Sequence, residues 1–469
     1  MHHAGRTRLL VGMEPDAQRP LDLAFARAVA WLEAVPERHV APATGVDAVQ
    51  DRLGRVLPEA GQDPAAVVGR LADAVEPALI ASQSPRFYGW VIGGTHPVAV
   101  AADWLVTAWD QNAAMREPMP GTSAVEELAG RWLLDLLGLP ATASVGFTTG
   151  ATTANLAGLA AARHRVLADA GWDVEAHGLG GAPRVRVLAG AERHGSVDLA
   201  LRYLGLGAAT LVPADREGRI DVAALEAELA RSSDPTIVVL QAGNLHSGAF
   251  DDVGAASDAA HRHGAWAHVD GAFGLWAAAT PRLTHLAAGL ARADSWATDA
   301  HKTLNTPYDC GVSFVAHPAD AVAALGAQAS YLVATASGLD PWTLVPEMSR
   351  RARGVPVWAT LAALGRSGVA ALVDGLVAAA ALLADELGRL AGVEILNDVV
   401  YTQVCVTFGA DERTAAVADA LRAQGEVYAS TSRWHDRTVL RFSVSNAWTD
   451  AGQVRRTVEA VRRAIDAVP

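Results

Sequence analysis

Between residues 144 and 317, the sequence alternates short apolar runs with amphipathic runs, and this alternation restricts the possible folds most strongly. The short runs, such as "TIVVLQAG" and "AWAHVD", are rich in β-branched and small apolar residues and indicate strands. Segments with helical spacing, such as "VAALEAELARS", lie between several of them. Continuous apolar strands that alternate with helices are typical of a mostly parallel sheet covered on both faces. The sequence therefore predicts an α/β fold.

The regions on either side of this alternation have a different pattern. Residues 21–79 carry apolar side chains at three- and four-residue spacing, which indicates helices. After about residue 353, a long helical region precedes several strands and a final helix, as in a small α+β unit. A chain of 469 residues is long enough for more than one packed unit. We predict an N-terminal helical segment at 1–81, a large domain at 82–353 and a small C-terminal α+β domain at 354–469.

Charge and composition exclude several classes of partner. A net charge of −13 argues against nucleic acid or an anionic membrane as the main partner, because both need a basic surface. The apolar stretch near residues 368–390 is interrupted by Asp374 and Asp385, so we expect a buried helix and not a membrane span. Two cysteines and no apparent signal peptide favour a cytoplasmic protein.

Lys302 is the only lysine among the 38 lysine and arginine residues of the chain. Arginine can replace lysine on a solvated surface, but it stays charged and cannot become a neutral nucleophile as a buried lysine can. A biased composition that left one lysine by chance, or a buried salt bridge, would give the same count. The surroundings of Lys302 must therefore decide between these explanations.

Four polar features follow predicted strands, where the ligands of open parallel sheets bind. Residues 149–152 lead directly into a helix and form a possible anion seat. Asp270 ends an apolar strand, His194 follows another, and Lys302 follows a third. Each feature alone has an ordinary explanation, such as a capped helix, a turn aspartate or a structural histidine. Together they match the needs of pyridoxal 5'-phosphate, whose phosphate, ring nitrogen, ring face and aldehyde require these four kinds of group.

Eight blocks of the sequence resemble, in the same order, those of the pyridoxal-phosphate-dependent group II amino acid decarboxylases. This family includes the aromatic-amino-acid, glutamate and cysteine-sulfinate decarboxylases. The blocks are "SPRFYGWV", "TTGATTANLAGLAAAR", "HGSVDLALRYLG", "GNLHSGAFDDV", "HVDGAFG", "ADSWATDAHK", "SRRARGVPVW" and "LRFSVSN". The resemblance implies fold type I of the aspartate aminotransferase superfamily, with a central, mostly parallel seven-stranded sheet. It also implies a homodimer with active sites at the interface, in which the N-terminal segment packs on the partner.

The resemblance also implies roles for individual residues. Lys302 would be the Schiff-base lysine, Asp270 the partner of the pyridinium nitrogen and His194 the residue stacked on the ring, and these three are the predicted catalytic residues. The other predicted cofactor contacts are Gly150, Ala151, Thr152, Asn244, Ala272, Asp299 and His301. No metal site is expected, although His261 and His263 have the spacing of metal ligands.

Phe87, Tyr88 and Trp90 lie in the block that shapes the substrate mouth of this family. They favour an aromatic or bulky apolar amino acid as the substrate, with packing at a dimer interface as the alternative explanation. Arg353 and Arg441 could bind a carboxylate or make structural pairs.

Two departures from the family matter. Asn244 and Leu245 lie in a block where many members carry threonines, and a second departure leaves the reaction open. The decarboxylases carry a loop tyrosine that protonates the carbon after carbon dioxide leaves, whereas Pro341 and Trp342 lie near that place here. Tyr331 lies earlier in the sequence, and we expect it to have a structural role. We therefore expect an amino acid decarboxylase that releases an amine, with His194 as a possible proton donor. An aldehyde synthase, an aminotransferase and a lyase on the same scaffold are the alternatives.

Overall fold

The computed structural model describes residues 15–326 and 338–468, which form two sheets and the helices that cover them. The strands are β1 (Phe87–Tyr88), β2 (Ser144–Thr148), β3 (Arg186–Gly190), β4 (Thr210–Val212), β5 (Thr236–Gln241), β6 (Trp266–Asp270), β7 (Ser295–Asp299), β8 (Gly311–Val315), β9 (Glu394–Ile395), β10 (Gln403–Thr407), β11 (Tyr428–Trp434) and β12 (Arg437–Ser443). The helices are α1 (Pro15–Ala34), α2 (Val46–Leu53), α3 (Pro64–Val75), α4 (Pro97–Trp109), α5 (Pro120–Leu137), α6 (Ala151–Asp169), α7 (Val174–His177), α8 (Gly195–Tyr203), α9 (Val222–Leu229), α10 (Val253–Arg262), α11 (Pro318–Leu325), α12 (Gly354–Gly388), α13 (Asp411–Gln424) and α14 (Ala451–Asp466).

The larger sheet has seven strands in the order β2-β8-β7-β6-β5-β3-β4. Strand β8 runs antiparallel to both of its neighbours, and the other pairs are parallel. Ile237 and Val239 of β5 face one layer of helices, while Val238 and Leu240 face the other. Apolar side chains on both faces of one strand need cover on both sides, which explains the continuous apolar runs in the sequence. The predicted fold, a mostly parallel seven-stranded sheet between helices, is confirmed.

The smaller sheet has five strands in the order β1-β11-β12-β10-β9 and shares a hydrophobic core with α13 and α14. Strand β1 belongs to this sheet, because Phe87 and Tyr88 pair in parallel with Tyr428 and Ala429 of β11. The predicted boundary at residue 82 had assigned this strand to the large domain.

Helix α12 connects the two units and contributes side chains to both cores. Val357 and Leu361 lie in the core of the large domain, whereas Leu383 and Leu387 lie in that of the small domain. Among the described residues, α12 is long and apolar enough to cross a membrane by those two criteria alone. Its packing in two cores accounts for this composition, as expected for a buried helix.

Candidate active site

A cavity of about 240 Å³ lies at the carboxyl ends of β5, β6 and β7. Parallel strands place the residues that follow them at one edge of the sheet, where ligands of such folds bind. This edge brings together most of the residues that the sequence singled out. They are Trp90, Gly150, Ala151, Thr152, His194, Asp270, Ala272, Asp299, His301 and Lys302.

Lys302 follows β7, and its side-chain amine faces a carboxylate. The Nζ atom lies 2.8 Å from Oδ2 of Asp299, which is almost fully buried. Asn305 donates a hydrogen bond to the carbonyl oxygen of Lys302 at 3.0 Å. Gly93 packs so closely that a Cβ atom there would lie 2.3 Å from the same carbonyl oxygen. The backbone of Lys302 is therefore held from two sides, while its amine reaches the cavity.

The amino-terminal end of α6 binds an anionic group in this structure. The backbone N–H of Ala151 donates to Oδ1 of Asp299 at 2.6 Å. The hydrogen bond from Ala154 to Gly150 is the first within the helix, so the N–H groups of residues 151–153 lack intrahelical partners. These N–H groups and the helix dipole suit the phosphate of a cofactor at this end of the helix.

Asp270 presents a buried carboxylate to the cavity from the last position of β6. Its Oδ1 accepts a hydrogen bond from the N–H of Ala272 at 3.2 Å, and its Oδ2 lies 3.5 Å from Oγ of Ser196. A buried carboxylate is costly unless donors or a cation satisfy it. Two long hydrogen bonds leave acceptor capacity for a protonated ring nitrogen, so the geometry fits the predicted partner of pyridoxal phosphate.

His194 caps the amino-terminal end of α8 with its ring. Its Nδ1 accepts a hydrogen bond from the backbone N–H of Ser196 at 3.2 Å. A ring nitrogen that accepts carries no proton, so the proton of the neutral imidazole lies on Nε2. The ring therefore presents an N–H donor as part of the cavity wall.

His301 is a neutral donor on the other side of the cavity. Its Nδ1 accepts from the N–H of Cys310 at 3.1 Å, and its ring stacks on Tyr308 with centroids 4.2 Å apart. Burial lowers the pKa of His301. Its Nε2 lies 3.5 Å from Oδ1 of Asp299, so it borders the same anion seat. The roles of these residues toward the cofactor stay predictions.

Asn244, a predicted cofactor contact, is not among the residues that line the cavity. Its Nδ2 donates to Oε2 of Glu192 at 3.2 Å, and its Oδ1 accepts from the N–H of His246 at 2.8 Å. The bond with His246 stabilises the turn after β5, and the bond with Glu192 links this turn to the loop after β3. Its neighbours Gly243 and Leu245 line the cavity instead.

Phe87 and Tyr88, predicted at the substrate mouth, lie elsewhere. The ring of Phe87 stacks on Tyr428 with centroids 5.1 Å apart, and the hydroxyl of fully buried Tyr88 pairs with Thr457 at 2.8 Å. Both residues pack within the small domain because β1 joins its sheet. From this block, Trp90 and Val91 line the cavity.

The remaining candidates make structural pairs in this chain. Arg353 binds Asp309 at 2.9 Å, Arg441 donates to the carbonyl oxygen of Leu245 at 2.8 Å, and His261 pairs with Asp294 at 2.9 Å. Trp342 is buried. Tyr331 lies outside the described residues.

No site role was assigned from the sequence to several residues of the cavity wall. Ser196, Gln241, Leu245 and Phe273 line it alongside the predicted set. Ser196 is two positions from His194 and Leu245 follows Asn244, so proximity in sequence was the available clue.

A lysine amine, a buried carboxylate and an anion seat at one sheet edge define a pyridoxal-phosphate enzyme of fold type I. The chain belongs to the pyridoxal-dependent decarboxylases, because the model of the pyridoxal-dependent decarboxylase conserved domain matches residues 49–408. It is an amino acid carboxy-lyase whose cofactor is pyridoxal 5'-phosphate. The predictions of family, enzyme class and cofactor are confirmed.

Two relatives have different substrates in their names. The chain is 32% identical to the L-2,4-diaminobutyrate decarboxylase of Rhizobium meliloti (strain 1021), over 88% of this chain and 83% of that protein. It is 26% identical to tryptophan decarboxylase 1 of Oryza sativa subsp. japonica, over 92% of this chain and 90% of that protein.

Solved structures share the fold. The crystal structure of Oryza sativa TDC with PLP and tryptamine has a TM-score of 0.91 at 24% identity and covers 98% of this chain and 99% of that chain. The 4-hydroxyphenylacetaldehyde synthase of Rhodiola rosea has a TM-score of 0.86 at 17% identity, with coverage of 97% and 99%.

Proposed function

We propose that the substrate is an L-amino acid with an aromatic or bulky apolar side chain, and that the products are carbon dioxide and the corresponding amine. One observation carries this proposal: among the described residues of this chain, the charged and titratable residues of the cavity wall are all predicted cofactor groups. They are His194, Asp270, Asp299, His301 and Lys302. The other large side chains of the wall are Trp90, Val91, Leu245, Phe273 and Gln241. An acidic or diamino substrate would need a further cation or carboxylate to pair with its side chain.

The residues of the chain divide the work of this reaction. When bound, the cofactor supplies an aldehyde for an amine and a ring that accepts electrons. Lys302 would offer the amine, Asp299 would orient it through the 2.8 Å contact between Oδ2 and Nζ, and Asp270 would accept the ring N–H. After the carboxylate leaves as carbon dioxide, the substrate carbon takes up one proton, and we assign the delivery of this proton to His194, a residue of the cavity wall.

The test is turnover of a panel of amino acids by the protein loaded with pyridoxal phosphate, with products identified by mass. We expect amines from L-tryptophan, L-tyrosine, L-phenylalanine or L-leucine, and none from L-glutamate or L-2,4-diaminobutyrate. Amine from only the last two would overturn the proposed substrate class. An aldehyde with ammonia and hydrogen peroxide, at the expense of oxygen, would instead indicate an aldehyde synthase, which the missing loop tyrosine allows.

We also infer that the protein is a homodimer in the cytoplasm. Large apolar side chains are exposed on α1, α4 and α5, where they cost solvation free energy in an isolated chain. They include Phe25, Trp104, Leu105, Trp109 and Trp132. Phe25 of α1 contacts Trp104 of α4 edge-to-face at 5.6 Å, which joins two of these helices into one surface. Cys310 and Cys405 are buried free thiols, as suits a reducing compartment.

A further inference from the structure

A chain of buried polar side chains runs through the large domain and ends at the cavity. Nε1 of Trp266 lies 2.9 Å from Oγ of Ser295, which lies 2.8 Å from Nδ1 of His268. Nε2 of His268 lies 2.9 Å from Oδ1 of Asn155, whose Nδ2 lies 3.4 Å from Oγ of Ser196. All five side chains are buried. A buried polar group destabilises the fold unless it has hydrogen-bond partners. A run of five such groups therefore needs an explanation.

The chemistry of the groups fixes one direction for the hydrogen bonds. Burial lowers the pKa of His268 to about 3, so the ring is neutral and carries one N–H. The amide oxygen of Asn155 can only accept, which places that proton on Nε2 and leaves Nδ1 to accept from the hydroxyl of Ser295. The indole N–H of Trp266 then donates to Ser295. Each member therefore donates toward the cavity, and the last donation is from the amide of Asn155 to Oγ of Ser196.

This direction leaves the single hydroxyl proton of Ser196 free for the active site. Two acceptors are within reach, Oδ2 of Asp270 at 3.5 Å and Nδ1 of His194 at 2.8 Å. These two side chains are the predicted contacts with the ring nitrogen and the ring face of the cofactor. One hydroxyl thus lies between both of them and donates its proton to one acceptor at a time.

Helix α6 leaves space for the ring of His268. Gly158 lies within α6, and a Cβ atom there would lie 2.8 Å from Cε1 of His268. Glycine inside a helix costs about 1 kcal/mol relative to alanine. The fold therefore has a weaker helix former at the position where the buried imidazole must fit.

We propose that Ser196 is a positioning residue that orients Asp270 and His194 toward pyridoxal phosphate, and that the buried chain from Trp266 to Asn155 directs its hydroxyl proton into the site. The proposal concerns the cofactor and is independent of the substrate class.

The first experiment compares Ser196→Ala and Ser196→Thr with a matched control, Ser257→Ala. The hydroxyl of Ser257 is buried and has no hydrogen-bond partner among the described residues. Ser196→Ala removes the hydrogen bond from Ser196 to the carboxylate of Asp270. We expect this loss to weaken cofactor binding by about ten-fold or more, measured by reconstitution of the apoprotein. The visible circular dichroism of the bound cofactor should also change, Ser196→Thr should restore both properties, and Ser257→Ala should match the wild type. Unchanged affinity and dichroism in Ser196→Ala would overturn the proposal.

The second experiment uses the wild-type protein and does not depend on the folding of a variant. Nitrogen-15 NMR of labelled histidines distinguishes the two neutral tautomers of His268. We expect the proton on Nε2, at neutral pH, in both the apoprotein and the loaded protein. A proton on Nδ1 would reverse the chain at Asn155, turn the hydroxyl of Ser196 away from Asp270, and overturn the proposal.

Discussion

At the scale of single residues, the side-chain amine of Lys302 can be followed without peptide mapping, because the chain has no second lysine. Borohydride reduction of the loaded protein should increase its intact mass by one reduced cofactor. In Lys302→Arg the positive charge near Asp299 is kept, but a guanidinium does not form the imine. We expect this variant to show no reducible adduct. An adduct that survives in Lys302→Arg would contradict the assignment of Lys302.

His268 makes the stability of the apoprotein depend on pH. Burial lowers its pKa from 6.5 to about 3 in the folded chain, so the unfolded chain binds a proton at a higher pH than the folded chain does. The stability that the folded chain gains by keeping His268 unprotonated is fully present above pH ~6.5. It is lost as the pH falls toward ~3. The loss is at most about 1.4 kcal/mol per pH unit.

The measurement is the free energy of unfolding of the wild type and of His268→Gln at several pH values between 7 and 4.5. We expect the variant to be less stable at pH 7 and its stability to fall less steeply with acidification. His246, whose pKa is lowered to about 4 by burial, is present in both proteins, so the difference isolates His268. Parallel curves would show that the pKa of His268 is not lowered.

At the scale of secondary-structure elements, Gly311 at the start of β8 determines where the anion seat lies. A Cβ atom there would lie 2.3 Å from the carbonyl carbon of Gly150, which immediately precedes α6. Gly311→Ala must therefore displace the backbone of the turn at 148–151. We expect a loss of about 1–3 kcal/mol in unfolding free energy and weaker binding of pyridoxal phosphate.

Gly375→Ala is the matched control for this substitution. Gly375 is exposed on α12, and a Cβ atom there would meet nothing within 4 Å. Alanine should stabilise the helix by about 0.5–1 kcal/mol and leave cofactor binding unchanged. Equal cofactor affinity in the two variants would argue against a tight fit at Gly311.

The elements differ in how far the sequence could predict them. Most strands of the large sheet were predictable because each carries its own apolar pattern, as β6 does before its final residue Asp270. The short edge strand β4, with only three residues, was not predicted. The position of Tyr88 was not predictable either, because it depends on the pairing of β1 with β11, far away in sequence. Helix α12 is mostly apolar on both sides of Asp374, so its composition does not mark the point where it leaves one core and enters the other.

At the scale of the whole molecule, two properties of the surface act in opposite directions. A net charge of −13 keeps separate molecules apart through mutual repulsion. The exposed aromatic side chains of α4 and α5, including Trp104 and Trp132, favour association. In the homodimer that we propose, a second copy would cover this apolar surface under twofold symmetry.

Leu105→Asp tests this assembly, because Leu105 is half exposed on α4 between Trp104 and the end of the helix. A carboxylate there would have to be buried twice in a symmetric interface, so we expect the variant to sediment as a 48.8 kDa chain while the wild type sediments at twice that mass. Leu211→Asp is the control. Leu211 is similarly exposed, but it lies on β4 at the edge of the seven-stranded sheet and not on α4. If the active sites lie at the interface, the monomeric variant should also bind pyridoxal phosphate less tightly than the control. A wild-type protein that sediments as a single chain would refute the dimer, and a dimer that persists in Leu105→Asp would exclude α4 from its interface.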